Sequence, residues 1–320
     1  MVCGVHARQR LPHDLISLAA RQHGILTSSQ LQTAGISRKV IKTMSRDGRL
    51  HWLARGHYSI HSPSLRTFAH AGAMIGGPRA AVGGLAAAQI LDLQVSALPK
   101  PETITIWVEK DRRVDPRPRW EFRQDCIGRL ERAGQNSRVI DRHDVLLDVS
   151  ESLPSRAVIG WFLDCLREGQ VSAQRLRHLL DARARHKHRW FLHGVIADAV
   201  TGIESALEHQ YVTQVEKPHG LPIPQRQVVI AGHRSDAWFP EQRVTLELDG
   251  WNYHKDTIRA DAHVDAKRAA LGIVPLHIGW EDVIAEPCRT AQMIADVLRT
   301  RGWLGSASRC RSCLAHTAAA

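Results

Sequence analysis

The sequence predicts an α/β protein, α+β overall, in which short helices and strands fill several regions in succession. Three observations lead to this prediction. The chain has 320 residues, more than one average domain, so two or three domains are expected. Its N-terminal part combines helix-capping residues with short strand signals. Near its C-terminal third, residues 235–249 alternate between apolar and polar side chains around a turn, as a pair of strands does.

Residues 10–62 are predicted to form three short helices and a two-stranded wing. The first helix has apolar residues at helical spacing between positions 15 and 22. The second and third helices are bounded by capping and stop residues, namely Thr27 or Ser28, Gly35, Ser37 and Asp47-Gly48. Residues 50–60 can then form two strands with a turn near Arg55-Gly56. This order is typical of a helix-turn-helix followed by a wing.

The third helix and the wing are strongly basic. Positions 38 to 55 contain a single acidic residue, Asp47. The same stretch contains six basic residues, which are Arg38, Lys39, Lys42, Arg46, Arg49 and Arg55. Such an excess on one helix and wing is the electrostatic footprint of phosphate contacts. We therefore predict that these six residues bind duplex DNA. The alternative is a small helical packing or protein-contact module whose basic face is only solvated.

This segment resembles the winged-helix domain of AbiEi-type abortive-infection antitoxins. The resemblance rests on Gly24, the leucine-containing second helix, the basic third helix and the Gly-x-Tyr wing at Gly56 to Tyr58. It covers about sixty residues, and its motifs are short. The resemblance implies DNA binding, often to the protein's own promoter.

Residues 65–200 are predicted to form a mixed α/β connecting region. Strands are expected at 103–108 and 120–123, and amphipathic helices at 153–168 and 172–185. His143-Asp144 is followed at once by apolar residues, so it indicates the start of a helix rather than a metal dyad. The basic cluster at 183–189 either lines a DNA path or is a solvated helix end.

An acidic hairpin is predicted further along the chain. Residues 235–240 and 243–249 are expected to be strands joined at Glu241-Gln242. This register places Asp236 opposite Glu247, with their Cβ atoms about 5 Å apart. Two carboxylates at that distance repel each other unless a cation lies between them, and Mg²⁺ or Mn²⁺ suits oxygen ligands. The alternative is a solvated acidic pair at the end of an amphipathic hairpin.

Residues 202–303 resemble the PD-(D/E)xK nuclease superfamily, and more narrowly a family related to the very-short-patch mismatch-repair endonucleases. The resemblance rests on the helix with Glu208, the strand with Asp236, the run from Glu247 to Gly250, and Tyr253-His254. It implies a three-layer restriction-endonuclease-like core, a mixed sheet flanked by helices. In such a core Asp236 and Glu247 would be metal ligands, and Glu208 an outer or second ligand.

The sequence departs from the wider superfamily at one catalytic position. Asp249 stands where a lysine usually follows the glutamate by two residues, although the narrower family also carries aspartate there. His254 is our candidate for the missing role, because imidazole can act as a general base or a metal ligand near neutral pH. Lys255, Lys267 or Arg268 could instead stabilise the transition-state charge, and Lys267 and Arg268 are also expected to contact DNA.

Composition agrees with a polyanionic partner. The formal net charge is +11, which attracts nucleic acids independently of their sequence. Since no apolar run reaches transmembrane length and the N-terminus does not resemble a secretory signal, we expect a cytoplasmic protein without membrane contact. Six scattered cysteines do not form a disulfide framework. Cys310 and Cys313, with His316, lack a second ligand pair at suitable spacing, so the sequence does not predict zinc there.

Together the two ends predict a divalent-metal-dependent DNA endonuclease or nicking enzyme, targeted by the winged helix and hydrolysing phosphodiester bonds with Mg²⁺ or Mn²⁺. The main alternative is a non-catalytic DNA-binding regulator or antitoxin of the AbiEi type that uses the nuclease-like domain as a scaffold. An RNA nuclease is a third hypothesis. A second copy of the chain or a cognate toxin is a further expected partner, and residues 304–320 are expected to be a flexible tail.

Overall fold

The computed structural model describes residues 10–93, 98–115, 117–133, 138–201, 205–249, 257–310 and 313. The chain divides into two compact units, Met1–Val149 and Ser150–Ala320. Both mix helices with small sheets, in agreement with the predicted α/β class. The region predicted as one connecting segment, 65–200, is divided between the two units. No helix in the described part of the chain is both long and apolar enough to span a bilayer.

Unit 1 begins with three short helices. They are α1 His13–Arg21, α2 Ser28–Thr33 and α3 Arg38–Arg46. Thr27 caps α2, because its side chain accepts a hydrogen bond from the Gln30 amide while the Gln30 side chain binds the Thr27 amide in return. Ser37 caps α3 by accepting from the Val40 amide at 3.4 Å. The predicted caps are therefore the ones that the structure uses.

A three-stranded sheet completes this region. Its strands are β1 Ile25–Thr27, β2 His51–Ala54 and β3 His57–Ser59, arranged in the order β1-β3-β2 with antiparallel pairing. The β2–β3 hairpin is the predicted wing, whereas β1 was not predicted. The helices and the sheet enclose one apolar core, formed by Leu15, Ala19, Leu26, Leu31, Ile36, Ile41, Met44 and Leu50. Burial of this core holds α3 and the wing in place.

The rest of unit 1 is built on a second small sheet. Its strands are β4 Ala81–Val82, β5 Ile104–Val108 and β6 Trp120–Gln124, with β5 and β6 parallel. Its helices are α4 Leu65–Gly76, α5 Gly84–Ile90, α6 Arg129–Arg132 and α7 Arg142–Ser150. Two arginines of α6 bind α7 carboxylates, Arg129 with Asp148 and Arg132 with the fully buried Asp144, each at 2.7 Å. His143-Asp144 is therefore in a helix start, as predicted.

Unit 2 opens with three helices, α8 Ser155–Arg167, α9 Ala173–Ala182 and α10 Arg189–Thr201. The basic cluster before α10 is divided, because Arg183 is buried together with two histidines while Arg185 and Lys187 are exposed. His186 and His188 are buried, and their rings bind the Ser150 hydroxyl and the Leu153 carbonyl oxygen. These two histidines therefore bind the α9–α10 connection to the segment before α8.

A four-stranded sheet forms the second half of unit 2. Its strands are β7 Gln225–Ile230, β8 His233–Phe239, β9 Val244–Asp249 and β10 Val274–Gly279, in the order β10-β9-β8-β7. Only the β10–β9 pair is parallel. The helices are α11 Ser205–Gln210, continued by a π-helical turn at Tyr211–Glu216, then α12 Thr257–Ala270, α13 Trp280–Ala285 and α14 Pro287–Thr300. The endonuclease-like core remains a prediction.

The segment predicted as a flexible tail lies against unit 2 in its described part. The Ser308 amide donates a hydrogen bond to the His219 carbonyl oxygen at 2.7 Å. The side chains of Cys310 and Cys313 are half-buried. Ser308 and Cys310 therefore contact the rest of unit 2, which the small and polar composition of this segment did not indicate.

Candidate functional site

Helix α3 and the wing of unit 1 border an open groove of about 620 Å³. Three of its lining side chains are cations, which are Arg38, Lys42 and Arg55. Among the described residues that line the groove, none is acidic. A concave surface lined by one sign of charge concentrates counter-ions and anionic partners. We therefore treat this groove as the candidate nucleic-acid interface.

The cations of α3 are oriented by the core beneath the helix. Ile41 and Met44 are buried and fix the inner face of α3. Arg38 and Lys42 are four residues apart, so their side chains leave the same face of the helix one turn apart. Both are exposed. Local sequence therefore sets the spacing of the two charges, and core packing aims them into the groove.

The wing supplies the opposite wall. Gly56 has φ of +79° in the wing turn, where glycine avoids the strain that a side chain would bring. Its carbonyl oxygen accepts a hydrogen bond from the Ser28 amide at 2.9 Å, which ties the turn to the start of α2. Trp52 lines the groove and remains 63% exposed. The groove therefore presents an exposed aromatic ring beside its cations.

The remaining predicted DNA-binding residues of unit 1 do not line the groove. Lys39 and Arg46 are exposed outside its lining, and Arg49 is half-buried. Arg46 lies 3.7 Å from Asp47, the one acid in this stretch. The structure therefore brings half of the six predicted cations together in one groove.

The acidic hairpin of unit 2 has the predicted register. Trp238 pairs with Thr245, and Ala237 pairs with Leu246. Asp236 directly precedes Ala237, and Glu247 directly follows Leu246. Along β9, Leu246 and Leu248 are buried while Glu247 and Asp249 are half-buried. The alternation that the sequence predicted is therefore present from Leu246 to Asp249, whereas Thr245, on the face of Glu247, is fully buried.

Glu247 is held by a buried cation from another element. Arg268 on α12 is 2% exposed, and its Nη1 lies 2.7 Å from Glu247 Oε1. Ser235 donates a hydrogen bond to the same carboxylate oxygen, and Arg268 donates to Ser235 Oγ. Arg268 was predicted to contact DNA or to stabilise a transition state, yet its guanidinium lies inside the fold. By contrast, Lys267 is exposed on the same helix.

Asp236 and Glu208 meet at one side-chain amide. Gln227 Nε2 donates to Glu208 Oε1 at 2.8 Å and to Asp236 Oδ1 at 3.2 Å. Asp236 Oδ2 accepts from the Leu248 amide at 2.8 Å. Burial, and then the nearby Asp236 charge, raise the pKa of Glu208 above its usual value. Gln227 has φ of +53°, a conformation that costs energy outside glycine.

Asp249 belongs to a third polar contact. His277 on β10 binds Asp249 through Nδ1 and Asp265 through Nε2, both at 3.0 Å. The hydrogen bond with Asp249 is the main reason that the pKa of His277 is raised to about 9, so the ring is protonated at neutral pH. Sequence reasoning missed His277, because only the parallel pairing of β9 with β10 brings it beside Asp249.

These contacts do not fit a magnesium centre formed by Glu208, Asp236 and Glu247. In the described residues, the ligand atoms of these three acids do not converge as a group that could hold a cation. Arg268 and Gln227 supply instead the positive charge and N–H donors that such carboxylates need. His254 and Lys255, the candidate base and cation, lie outside the described residues. The catalytic roles of Asp249 and His254 remain predictions.

Comparison with known proteins gives a structural likeness and a family match. The structural likeness is to the RV2827C protein from Mycobacterium tuberculosis, with 17% identity, coverage of 75% of this chain and 93% of that one, and a TM-score of 0.39, which is too low to establish a shared fold. No curated protein matches significantly. Residues 13–61 match the family described as "Transcriptional regulator, AbiEi antitoxin". The N-terminal region therefore carries an AbiEi antitoxin-type regulator domain.

Proposed function

We propose that the chain is a DNA-binding transcriptional regulator of the AbiEi antitoxin type, which places α3 and the wing on duplex DNA. The observation that carries this proposal is the groove lined by Arg38, Lys42 and Arg55. The regulator family matched over residues 13–61 supports it independently. A second copy of the chain and a cognate toxin remain proposed partners, tested by co-purification and by measuring the oligomeric state.

The groove has the charge and shape that phosphate contacts require. Its cations come from two walls, α3 and the wing, and can therefore contact backbone phosphates on both sides of an inserted strand. Helix-turn-helix proteins commonly place their recognition helix in the major groove. In this chain α3 follows α2 after a short turn, as that motif requires. Trp52 would then lie against the sugar-phosphate backbone.

Salt-dependent DNA binding tests the proposal. Fluorescence anisotropy with labelled duplex DNA of mixed sequence gives the slope of log K against log salt concentration. Arg38→Ala and Lys42→Ala should each reduce that slope by about 1, because each removes one phosphate contact. The same assay with the DNA upstream of the protein's own coding sequence tests whether binding there exceeds non-specific binding.

Matched control variants separate a specific interface from general charge. Lys110 and Arg113 are exposed cations of unit 1 that do not line the groove. Lys110→Ala and Arg113→Ala change the net charge by the same amount and should leave the slope unchanged. Equal effects in all four variants, or no binding by the unaltered protein at low salt, would contradict the proposal.

A metal-dependent DNA endonuclease is a second candidate function. It is favoured by the position of Glu208 beside Asp236, two acids from different elements that face the same Gln227 amide. Burial, and then the Asp236 charge, raise the pKa of Glu208, and a bound cation would relieve the repulsion between the two carboxylates. Because Gln227 already binds these two carboxylates and Arg268 binds Glu247, no catalytic step is assigned to a magnesium ion here. Metal-dependent cleavage of DNA is the measurement that tests this candidate.

Plasmid nicking separates the two functions. Supercoiled plasmid and mismatched duplex are incubated with the protein and Mg²⁺, Mn²⁺ or EDTA, beside Asp236→Ala/Glu247→Ala. Metal-dependent nicking that the double variant lacks would support the endonuclease. DNA binding without cleavage in every condition would leave the regulator as the function of the chain, with the acidic hairpin as part of its scaffold.

A further inference from the structure

Four metal-binding side chains meet in unit 2, away from the acidic hairpin in sequence. They are His219, Cys288, Cys310 and Cys313, and their ligand atoms all lie within 4.8 Å of one another. His219 follows the π-helical turn, Cys288 lies in the first turn of α14, and the two other cysteines belong to the C-terminal segment. Three separate parts of the chain therefore contribute to one cluster.

The distances within the cluster are those of a tetrahedral ligand shell. Cys288 Sγ lies 3.5 Å from Cys310 Sγ, and Cys310 Sγ lies 3.7 Å from Cys313 Sγ. Cys313 Sγ lies 3.8 Å from His219 Nε2. Zinc bound at about 2.3 Å from each sulfur holds neighbouring ligand atoms roughly 3.6–3.8 Å apart. A disulfide would instead bring two sulfurs to about 2 Å.

The histidine is oriented for metal binding by its other ring nitrogen. His219 Nδ1 lies 2.8 Å from the Val215 carbonyl oxygen. A carbonyl oxygen can only accept, so Nδ1 carries the proton and Nε2 presents its lone pair to the cysteines. Zinc-binding histidines are commonly fixed by such a hydrogen bond. His219 is 1% exposed, so its ring cannot turn freely into water.

The backbone also joins the parts of the chain that carry the ligands. The Ser308 amide donates to the His219 carbonyl oxygen at 2.7 Å, two residues before Cys310. Gly220, next to His219, has φ of +62°, and a Cβ there would lie 3.0 Å from Ser308 Oγ. The C-terminal segment is therefore fitted closely to the turn that carries His219, which makes the cluster a built site rather than a chance approach of surface cysteines.

We propose that His219, Cys288, Cys310 and Cys313 bind one structural zinc ion. Three thiolates and one imidazole are the soft ligand set that favours zinc over magnesium or calcium. Four protein ligands leave no open coordination position, so the ion is structural rather than catalytic. It fastens the C-terminal segment to α14 and to the turn after the π-helical segment. Sequence spacing could not indicate this site, because the second ligand pair lies far from Cys310 and Cys313.

Metal analysis of the purified full chain tests the zinc proposal. Protein prepared without chelators should contain about one zinc ion per chain, measured by plasma mass spectrometry. Replacement of zinc with Co²⁺ should give the visible absorption of a tetrahedral thiolate site. Cys310→Ser and Cys313→Ser should lose the bound metal. Cys126→Ser, which changes an exposed cysteine outside the cluster, should keep it.

A rescue pair guards against variants that simply fail to fold. His219→Ala should lose the metal, whereas His219→Cys should retain it, because a fourth thiolate completes the shell. Circular dichroism measured on each variant reports whether secondary structure survives. Substoichiometric zinc in the unaltered protein after refolding with Zn²⁺ would overturn the proposal. So would full zinc retention in a folded Cys310→Ser/Cys313→Ser variant.

Discussion

Single residues in this chain are placed by partners that lie far away in sequence. Arg268 shows this most clearly. Its guanidinium is 2% exposed and neutralises Glu247 across the interface between α12 and β9. In the sequence Arg268 follows Lys267 on a helix and looks like one of two surface cations. Burial reverses that interpretation, because a buried guanidinium is stable only when a carboxylate and further hydrogen bonds surround it.

Removing the Arg268 charge should therefore destabilise unit 2. Arg268→Ala leaves Glu247 half-buried without its cation, and we expect a loss of about 3–5 kcal/mol in the free energy of unfolding. The double variant Glu247→Leu/Arg268→Met removes both charges. It should therefore lower the free energy of unfolding by less than Arg268→Ala does. Hydrogen-exchange mass spectrometry of β9 peptides measures both. Equal protection in Arg268→Ala and the unaltered protein would contradict the structural role.

At the scale of elements, local signals and tertiary contacts contributed differently. Helices α2 and α3 and the wing could be predicted because capping residues and turn glycines act within a few positions of themselves. Helix α1 could be predicted from its apolar residues at helical spacing. The three-residue strand β1 could not, since its strand character comes from pairing with β3. The same limit applies to the candidate sites. The sequence spacing predicted the pairing of Asp236 with Glu247. Only sheet pairing, however, brings Gln227 to Asp236 and His277 to Asp249.

Helix α4 illustrates how packing opposes intrinsic preference. Gly72 faces β6 so closely that a Cβ would lie 2.3 Å from Trp120 Cδ1. The Trp120 indole is itself fixed, because Nε1 donates to the Phe68 carbonyl oxygen at 2.8 Å. Alanine normally favours a helix over glycine by about 0.5–1 kcal/mol. At this position the helix must move away from the sheet to accept one methyl group.

We expect Gly72→Ala to lower the free energy of unfolding by about 1–3 kcal/mol, the usual cost of overpacking. Gly160→Ala in α8 is the matched control. Its Cβ would meet only the end of the Glu281 side chain at 3.0 Å, so the substitution should be neutral or stabilising. Hydrogen exchange of α4 and α8 peptides reports each effect locally. If Gly72→Ala proved as stable as Gly160→Ala, the contact with Trp120 would not be rigid.

At the scale of the whole molecule, the positively charged side chains have two different kinds of surroundings. The formal net charge is +11, yet some of the basic side chains bind carboxylates within the fold. Arg129, Arg132 and Arg268 each bind carboxylates of neighbouring elements. Arg38, Lys42 and Arg55 instead line an open groove. The net charge therefore supports DNA binding only through the cations that remain at the surface, which is why composition alone cannot locate the interface.

His70 in unit 1 and His277 in unit 2 have pKa values shifted in opposite directions. In unit 1, His70 is 4% exposed and stacks on His23 with ring centroids 3.5 Å apart. Burial, followed by the nearby positive charges, lowers the pKa of His70 to about 4. In unit 2, hydrogen bonding to Asp249 and the carboxylate charges raise the pKa of His277 to about 9. An unfolded chain would titrate both near 6.5.

His70 and His277 should therefore contribute to stability in opposite directions of pH. His70 stays neutral in the fold while the unfolded chain takes up a proton, so unit 1 weakens as pH falls from about 6.5 towards 4. His277 is protonated in the fold, so its contribution is complete below about 6.5 and disappears as pH rises through about 9. Hydrogen exchange compared with His70→Gln and His277→Gln at each pH measures these slopes. A variant that kept the unaltered protein's slope would exclude its histidine as the cause.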